Sequence, residues 1–226
     1  MNSEEAYRHA LEHGSLERTR EIACRIPYFA FLYARDIDKC SRDDTREAAC
    51  KSPIIASDYA LKIDKCPHKE TRNAACKDLF CAYLYAKDIE GSHKGTREAV
   101  CKDSYYAFLY AKNIDKGPHE ETRKAACRNI VYAYYYALEI DKGPHEETRE
   151  AVCKESYSAF EYARDIDKCP MEDTRKASCQ RPYSAFEYAR DIDKCPMEET
   201  WLAIKGTQYE EEYRKIFKEL VEEEII

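Results

Sequence analysis

PHEETREAVCKESYSAFEYARDIDKC, residues Pro144 to Cys169, is the stretch whose reading decides the fold. Nearly the same words stand before and after it. The dipeptide Thr-Arg falls at Thr19, Thr45, Thr71, Thr96, Thr122, Thr148 and Thr174, and Thr200 keeps the threonine alone. Successive copies lie 26 residues apart, with one step of 25. A fixed period of this size is the signature of a repeat architecture.

The copy carries two helix signals. Pro144 suits a first helical position with Gly143 as its cap, and Glu146 and Glu147 favour the positive end of the helix. A second start follows near Glu155 and Ser156, where three other copies place Pro27, Pro53 and Pro182. Ala159, Ala163 and Ile166 then share one helical face at i, i+4, i+7. The reading is two helices of roughly eleven residues, a normal length. Ala30, Ala34 and Ile37, and their counterparts down to Ala185, Ala189 and Ile192, give every copy that face. Small residues there let helices approach closely. The expected fold is all-α: an α-solenoid of about seven 26-residue helix pairs forming one domain over residues 1–226.

The ends depart from the pattern. Residues 1–14 read as a half-repeat cap, in which Ala6, His9 and Ala10 stand for Ala30, Tyr33 and Ala34. The repeats run over 15–199, and 200–226 form a C-terminal cap. Trp201 replaces the repeat arginine, Lys205 the cysteine, and Gly206 breaks the helix. A longer amphipathic helix is expected to follow, with Tyr209, Tyr213, Ile216, Phe217, Leu220 and Val221 on one face. An open stack needs ends with a polar outer side. The short repeat reads Ile89-Glu90-Gly91-Ser92-His93 where others read Ile-Asp-Lys-Cys-Pro.

Composition narrows the function. The chain has 226 residues, a net charge of −7 and 36% charged residues. No run of about 18 apolar residues exists, so no membrane span is expected. The first residues lack the basic start and apolar core of a secretory signal, which makes the cytoplasm the expected location.

The phrase Thr-Arg-x-Ala-Ala-Cys-Lys, a short joint, then Ala-x-x-Tyr-Ala-x-Asp-Ile-Asp resembles the leucine-rich variant repeat and, more widely, the HEAT and armadillo class. The likeness covers residues 15 to 200. Tyr for Leu, Cys for Ala and a slightly longer period are its departures. It implies a superhelix of helix pairs, in a class whose members mostly bind proteins and sometimes DNA, and no activity. Tandem copies this similar also resemble viral or phage accessory proteins.

Repeated polar residues have a structural and a functional reading. The arginines from Arg20 to Arg175 and the aspartates from Asp38 to Asp193 read as a ladder tying each joint to the following helix, since bidentate arginine–carboxylate geometry suits that role. The alternative is a row of phosphate contacts. Seven of twelve cysteines occupy one helix site, Cys24, Cys50, Cys76, Cys101, Cys127, Cys153 and Cys179. Four lie in joints, Cys40, Cys66, Cys169 and Cys195, and Cys81 stands alone. Equivalent sites in stacked helices are separated by about 8–10 Å, beyond the roughly 7 Å that a disulfide spans. The helix row therefore reads as small, buried, reduced thiols. His68, His93, His119 and His145 recur once per repeat, too widely spaced to share a metal whose ligands lie about 2 Å away. No catalytic residue, cofactor site or metal site is assigned, and the chain is expected not to be an enzyme.

Sites that vary along the stack point to a partner. Two positions on the second helix, three residues apart, share a face. They read Phe29/Leu32, Ile55/Asp58, Cys81/Leu84, Tyr106/Leu109 and Tyr132/Tyr135, then Ser158/Glu161 and Ser184/Glu187. Phe29, Leu32, Ile55, Leu84, Tyr106, Leu109, Tyr132 and Tyr135 are the candidate partner-binding residues, for another protein or a second copy of the chain. A nucleic-acid-binding repeat is the rival, invited by tyrosine and arginine in every copy. The acidic charge runs against the basic stripe that nucleic acid needs. An acidic mimic of nucleic acid is a further alternative.

Overall fold

A computed structural model describes residues 1–218. Every regular element among the described residues is a helix, and the helices pack in consecutive pairs as an α-helical repeat. The repeats are numbered here 1 to 7, spanning 15–40, 41–66, 67–91, 92–117, 118–143, 144–169 and 170–195. The contacts gather into two compact bodies, Met1–Lys116 and a second from Gly117 onward. Among the described residues no helix is long and apolar enough to cross a membrane.

Repeat 6 shows the plan. Its first helix is Glu146–Val152, seven residues long. The second begins as an α-helix at Ser156–Tyr162 and continues as a π-helical turn, Ala163–Asp167. The division is therefore short then long, not two equal helices. All seven second helices end in such a turn. In repeat 6 it is closed by the Lys168 N–H donating to the Ala163 carbonyl five residues back, at 2.8 Å. Lys168 then adopts a left-handed conformation, φ 56°, as do Lys39, Lys65, Lys116, Lys142 and Lys194. The short repeat 3 lacks this lysine, and Gly91, φ 80°, makes the turn instead.

The start of the first helix differs from the sequence reading. Pro144 lies outside the helix, and Gly143 is not its cap. His145 is the N-cap, in an extended conformation, with its Nδ1 accepting from the Glu147 N–H at 3.3 Å. The physical reason is that an imidazole nitrogen two residues before a free N–H can satisfy it, whereas glycine offers no acceptor. The prolines of the second helices do stand in the first turn, at Pro27, Pro53 and Pro182.

The core is assembled between repeats. Ala133 and Ala137 of repeat 5 meet Ala151 and Val152 of the next first helix, and Tyr162 and Ile166 close over them. Ala82 and Ala86 meet Ala99, Val100 and Tyr110 in the same way. Alanine at these sites leaves backbones free to approach, and the tyrosine fills the space that remains. Tyr33, Tyr59, Tyr85, Tyr110, Tyr136, Tyr162 and Tyr188 are all fully buried.

A buried tyrosine needs a partner for its hydroxyl. In repeat 5 the Tyr136 hydroxyl meets Thr122 Oγ1 at 2.9 Å, accepts from the His119 N–H at 3.0 Å, and faces the His119 carbonyl at 3.1 Å. The Arg123 guanidinium lies over the same ring, 5.6 Å from its centre, and binds Asp141 with Nε and a terminal nitrogen. The Thr-Arg dipeptide therefore holds one tyrosine from two sides. Each arginine pairs with the acid eighteen residues later in its own repeat, Arg149 with Asp167 at 2.6 Å and Arg175 with Asp193 at 2.7 Å. The ladder thus ties each first helix to the end of its own second helix, and not each joint to the helix after it. In short repeat 3, Glu90 takes the place of Asp and pairs with Arg72; its extra methylene extends its reach.

The ends cap the bodies. The helix Ser3–His13 buries Ala6 and Ala10 and opens with a capping box between Asn2 and Glu5. At the other end, Glu198–Ile204 buries Trp201, and Glu210–Ile216 buries Tyr213. Tyr213 meets Thr200 Oγ1 at 3.2 Å and so acts as an eighth copy of the buried tyrosine. Phe217 is buried and Tyr209 half-buried, but Ile216 is exposed and does not share their face. Leu220 and Val221 lie outside the described residues.

Candidate partner-binding face

Of the eight candidate residues, Leu32 is buried and only Tyr135 is exposed; Phe29, Ile55, Leu84, Tyr106, Leu109 and Tyr132 are half-buried. Six of them, Phe29, Leu32, Ile55, Leu84, Tyr106 and Leu109, join core clusters between neighbouring repeats. Phe29 and Ile55 pack against the cluster of Phe31, Leu32 and Tyr59, and Leu84, Tyr106 and Leu109 against that of Tyr83, Val100 and Tyr110. The polar counterparts Ser158, Glu161 and Glu187 are half-buried too, and Ser184 is buried.

The exposed apolar row is one residue earlier. Tyr28, Ile54, Phe80 and Tyr105 in the first body, and Val131, Tyr157 and Tyr183 in the second, are each between 39% and 63% exposed. All seven occupy the second position of their second helix, where Tyr28, Ile54 and Tyr183 directly follow a proline. The signal was in the sequence, since this column is apolar in every repeat. Attention to variation passed over it, because a column that keeps its character reads as core. Near the row, Leu61 and Leu138 are also exposed. In the second body the rings of Tyr157 and Tyr183 stack at 6.2 Å with a 20° interplanar angle, and Tyr183 meets Tyr209 at 5.9 Å.

Cations edge this face but are mostly neutralised on it. Arg35 is gripped by Asp36, Arg164 by Asp165 and Arg190 by Asp191, each through two hydrogen bonds of 2.7–2.9 Å. These arginines also lie over Phe31, Phe160 and Phe186. The hydrogen bonds from Arg35 and Arg164 hold Asp36 and Asp165 below the ordinary carboxylate range.

The thiols are less buried than the sequence reading had them. All seven of the helix row are half-buried, because each is the C-cap residue of a first helix and stands at its rim; Cys81 alone is buried. Burial pushes Cys24, Cys50 and Cys153 up to about 11 and Cys81, Cys127 and Cys179 up to about 12. Thiols so shifted are poor nucleophiles near neutrality. Cys40, Cys66 and Cys169 are exposed in the joints. The histidine row consists of N-caps: His93, His119 and His145 accept through Nδ1 from the N–H two residues on, at 3.0–3.3 Å. Among the described residues no three His, Cys, Asp or Glu side chains are grouped to hold a metal ion.

No family model, no curated protein and no solved structure matches this chain.

Proposed function

We propose that this protein is a non-enzymatic scaffold that binds a polypeptide partner through the apolar face of its second helices. The observation that carries this reading is the exposed row of Tyr28, Ile54, Phe80, Tyr105, Val131, Tyr157 and Tyr183. Internal packing accounts for the threonines, arginines, alanines and buried tyrosines, but not for a large apolar side chain kept exposed in every repeat. Contiguous exposed apolar surface marks interaction sites, and tyrosine is enriched among residues that dominate binding. Within the first body Phe29, Ile55, Leu84, Tyr106 and Leu109 accompany the row, and within the second Tyr132 and Tyr135 do. A helical repeat related to the leucine-rich variant or HEAT class fits this use.

The test compares affinity capture from the native host with wild-type chain and with Tyr28, Tyr105, Tyr157 and Tyr183 all changed to Ser. The expected result is a defined protein partner, resistant to nuclease, that the variant no longer retains while its circular dichroism stays helical. Retention of the partner by the variant overturns the reading. Salt-sensitive capture of RNA or DNA would favour the nucleic-acid alternative, for which every repeat also carries arginine and tyrosine.

A further inference from the structure

One position of the second helix holds an aromatic ring everywhere but once. It reads Phe31, Tyr83, Phe108, Tyr134, Phe160 and Phe186, and Tyr7 stands there in the N-terminal half-repeat, but repeat 2 has Ser57. Four of these rings, Tyr7, Phe31, Tyr83 and Tyr134, reach across the groove to the following repeat. Tyr7 donates its hydroxyl to Asp36 at 2.7 Å, and Tyr134 to Asp165 at 2.7 Å. Tyr83 accepts from Asn113 at 2.9 Å, and Phe31 lies under the Lys62 ammonium, 5.6 Å away. In each case the partner is the same residue of the next repeat, the last but two of its π turn.

Ser57 cannot make this crossing. Its hydroxyl turns back to the Pro53 carbonyl of its own helix, 3.0 Å away. A cleft of about 140 Å³ is left in the groove, lined by Ile54, Leu61, Phe80, Leu84 and Ile89 together with Ser57, Cys81 and Asp58, the last of these paired with Lys62 at 2.7 Å. Asp88, the counterpart of Asp36 and Asp165, also lines it. Asp88 makes no hydrogen bond or ion pair with any described residue. An apolar cavity of roughly 150 Å³ is large enough to take a benzene ring.

We infer that this cleft receives a tyrosyl side chain of a partner polypeptide, its ring among Ile54, Leu61, Phe80 and Leu84 and its hydroxyl donating to Asp88. The chain supplies this ring and this bond itself at Tyr7 and Tyr134, and omits the ring only here. The inference rests on the scaffold reading above and names its anchor. A neutral hydroxyl donating to a carboxylate forms a charge-assisted bond, the stronger kind. Phenylalanine would fill the same space and leave Asp88 unbonded.

The test is a methyl-detected NMR titration of the full chain with N-acetyl-tyrosinamide, N-acetyl-phenylalaninamide and p-cresol. The tyrosyl probe should bind saturably and shift the methyls of Ile54, Leu61, Leu84 and Ile89. The phenylalanyl probe should bind roughly ten- to a hundredfold more weakly, the range of one hydrogen bond to a charged acceptor. Asp88→Ala should bring the two probes together. Ser57→Tyr should abolish binding of both and raise the midpoint of thermal unfolding. No saturable shift at these methyls overturns the inference even if Ser57→Tyr does not fold. So does equal binding of the two amides to the wild type. Entry of p-cresol with exclusion of N-acetyl-tyrosinamide would overturn the polypeptide source. The two readings fail separately, since the four tyrosines of the capture experiment lie outside the cleft. Loss of the partner in the tyrosine variant with full retention in Ser57→Tyr sinks the cleft alone. Tyrosyl binding in the cleft with partner retention in the tyrosine variant sinks the scaffold face alone.

Discussion

Arg149 shows how much one side chain of the repeat does. It pairs with Asp167, whose side chain is only 1% exposed, and covers the ring of Tyr162 at 6.0 Å. Arg149→Met would keep much of the packing but leave a nearly buried carboxylate without its counter-charge. Removing one partner of a buried pair costs about 3–5 kcal/mol, so urea unfolding should shift by that order. Exposed pairs such as Lys124 with Glu120 are a built-in comparison, because pairs in water contribute about 0–1 kcal/mol. A loss below about 1 kcal/mol in Arg149→Met would mean that the ladder is ornament. Tyr162→Phe isolates the other half of the arrangement. It leaves the His145 N–H, bonded at 3.1 Å, without its partner, while Thr148 Oγ1, 2.8 Å from the phenol, keeps its bond to the His145 carbonyl at 2.9 Å. An unsatisfied buried polar group costs about 1–3 kcal/mol. The expected outcome is a loss in that range, with Thr148→Val less than additive to it, because both changes remove the same bond.

At the scale of the element, the second helix is the less ordinary of the two. Its π turn places the final acid opposite the arginine of the first helix, and its exit requires a left-handed residue. Six repeats use lysine for this exit, at φ 51–56°. A residue with a Cβ is strained there by about 1 kcal/mol relative to glycine. Lys168→Gly should therefore stabilise the second body, against the usual direction of a substitution to glycine, by roughly 0.5–1 kcal/mol in urea unfolding. The same change one residue earlier, at Asp167, should destabilise by several-fold more because it also removes the partner of Arg149. If Lys168→Gly destabilises, the lysine side chain has a role that the backbone conformation does not account for.

For the whole molecule, the buried phenols and half-buried thiols set the response to pH. Burial raises Tyr85, Tyr110, Tyr136, Tyr162 and Tyr188 above the ordinary value of 10.0, and raises Cys24, Cys127 and Cys179 from 9.0 to about 11 or 12. Groups whose folded values are raised contribute stability that is fully present below their unfolded values and lost above them. From about pH 9 upward the unfolded chain sheds protons that the folded chain keeps, so stability falls as pH rises. Urea midpoints measured from pH 8 to 11 should decrease progressively, and a flat profile would contradict the burial described here. All twelve cysteines are unbridged. Thiol titration of the denatured, unreduced protein should therefore count close to twelve.

The chain by itself determined the repeat, its period, the two-helix plan and the alanine face, because all of these are periodic in sequence and a period survives without coordinates. It also singled out Thr-Arg and Tyr as fixed members of each copy, and Asp in all but repeat 3, where Glu90 stands. Their pairing was not legible: Arg149 had acids on both sides in sequence, and only packing decided that it reaches forward to Asp167. The cap at His145 was missed because proline and glycine are stronger punctuation than a histidine acceptor. The more exposed apolar column lies one residue before the candidate residues for a related reason. On a helix, neighbouring positions differ by about 100°, so Phe29 can lean into the next repeat while Tyr28 stands in solvent. Variation marks the Phe29 column and not the Tyr28 column, and only neighbours in space tell which is covered. Ser57 was visible as an odd letter in an aromatic column. That it leaves a cleft, and that Asp88 stands unbonded in its lining, follows from the side chains of two repeats meeting across a groove. Such a meeting depends on distance in space, which the order of residues does not encode.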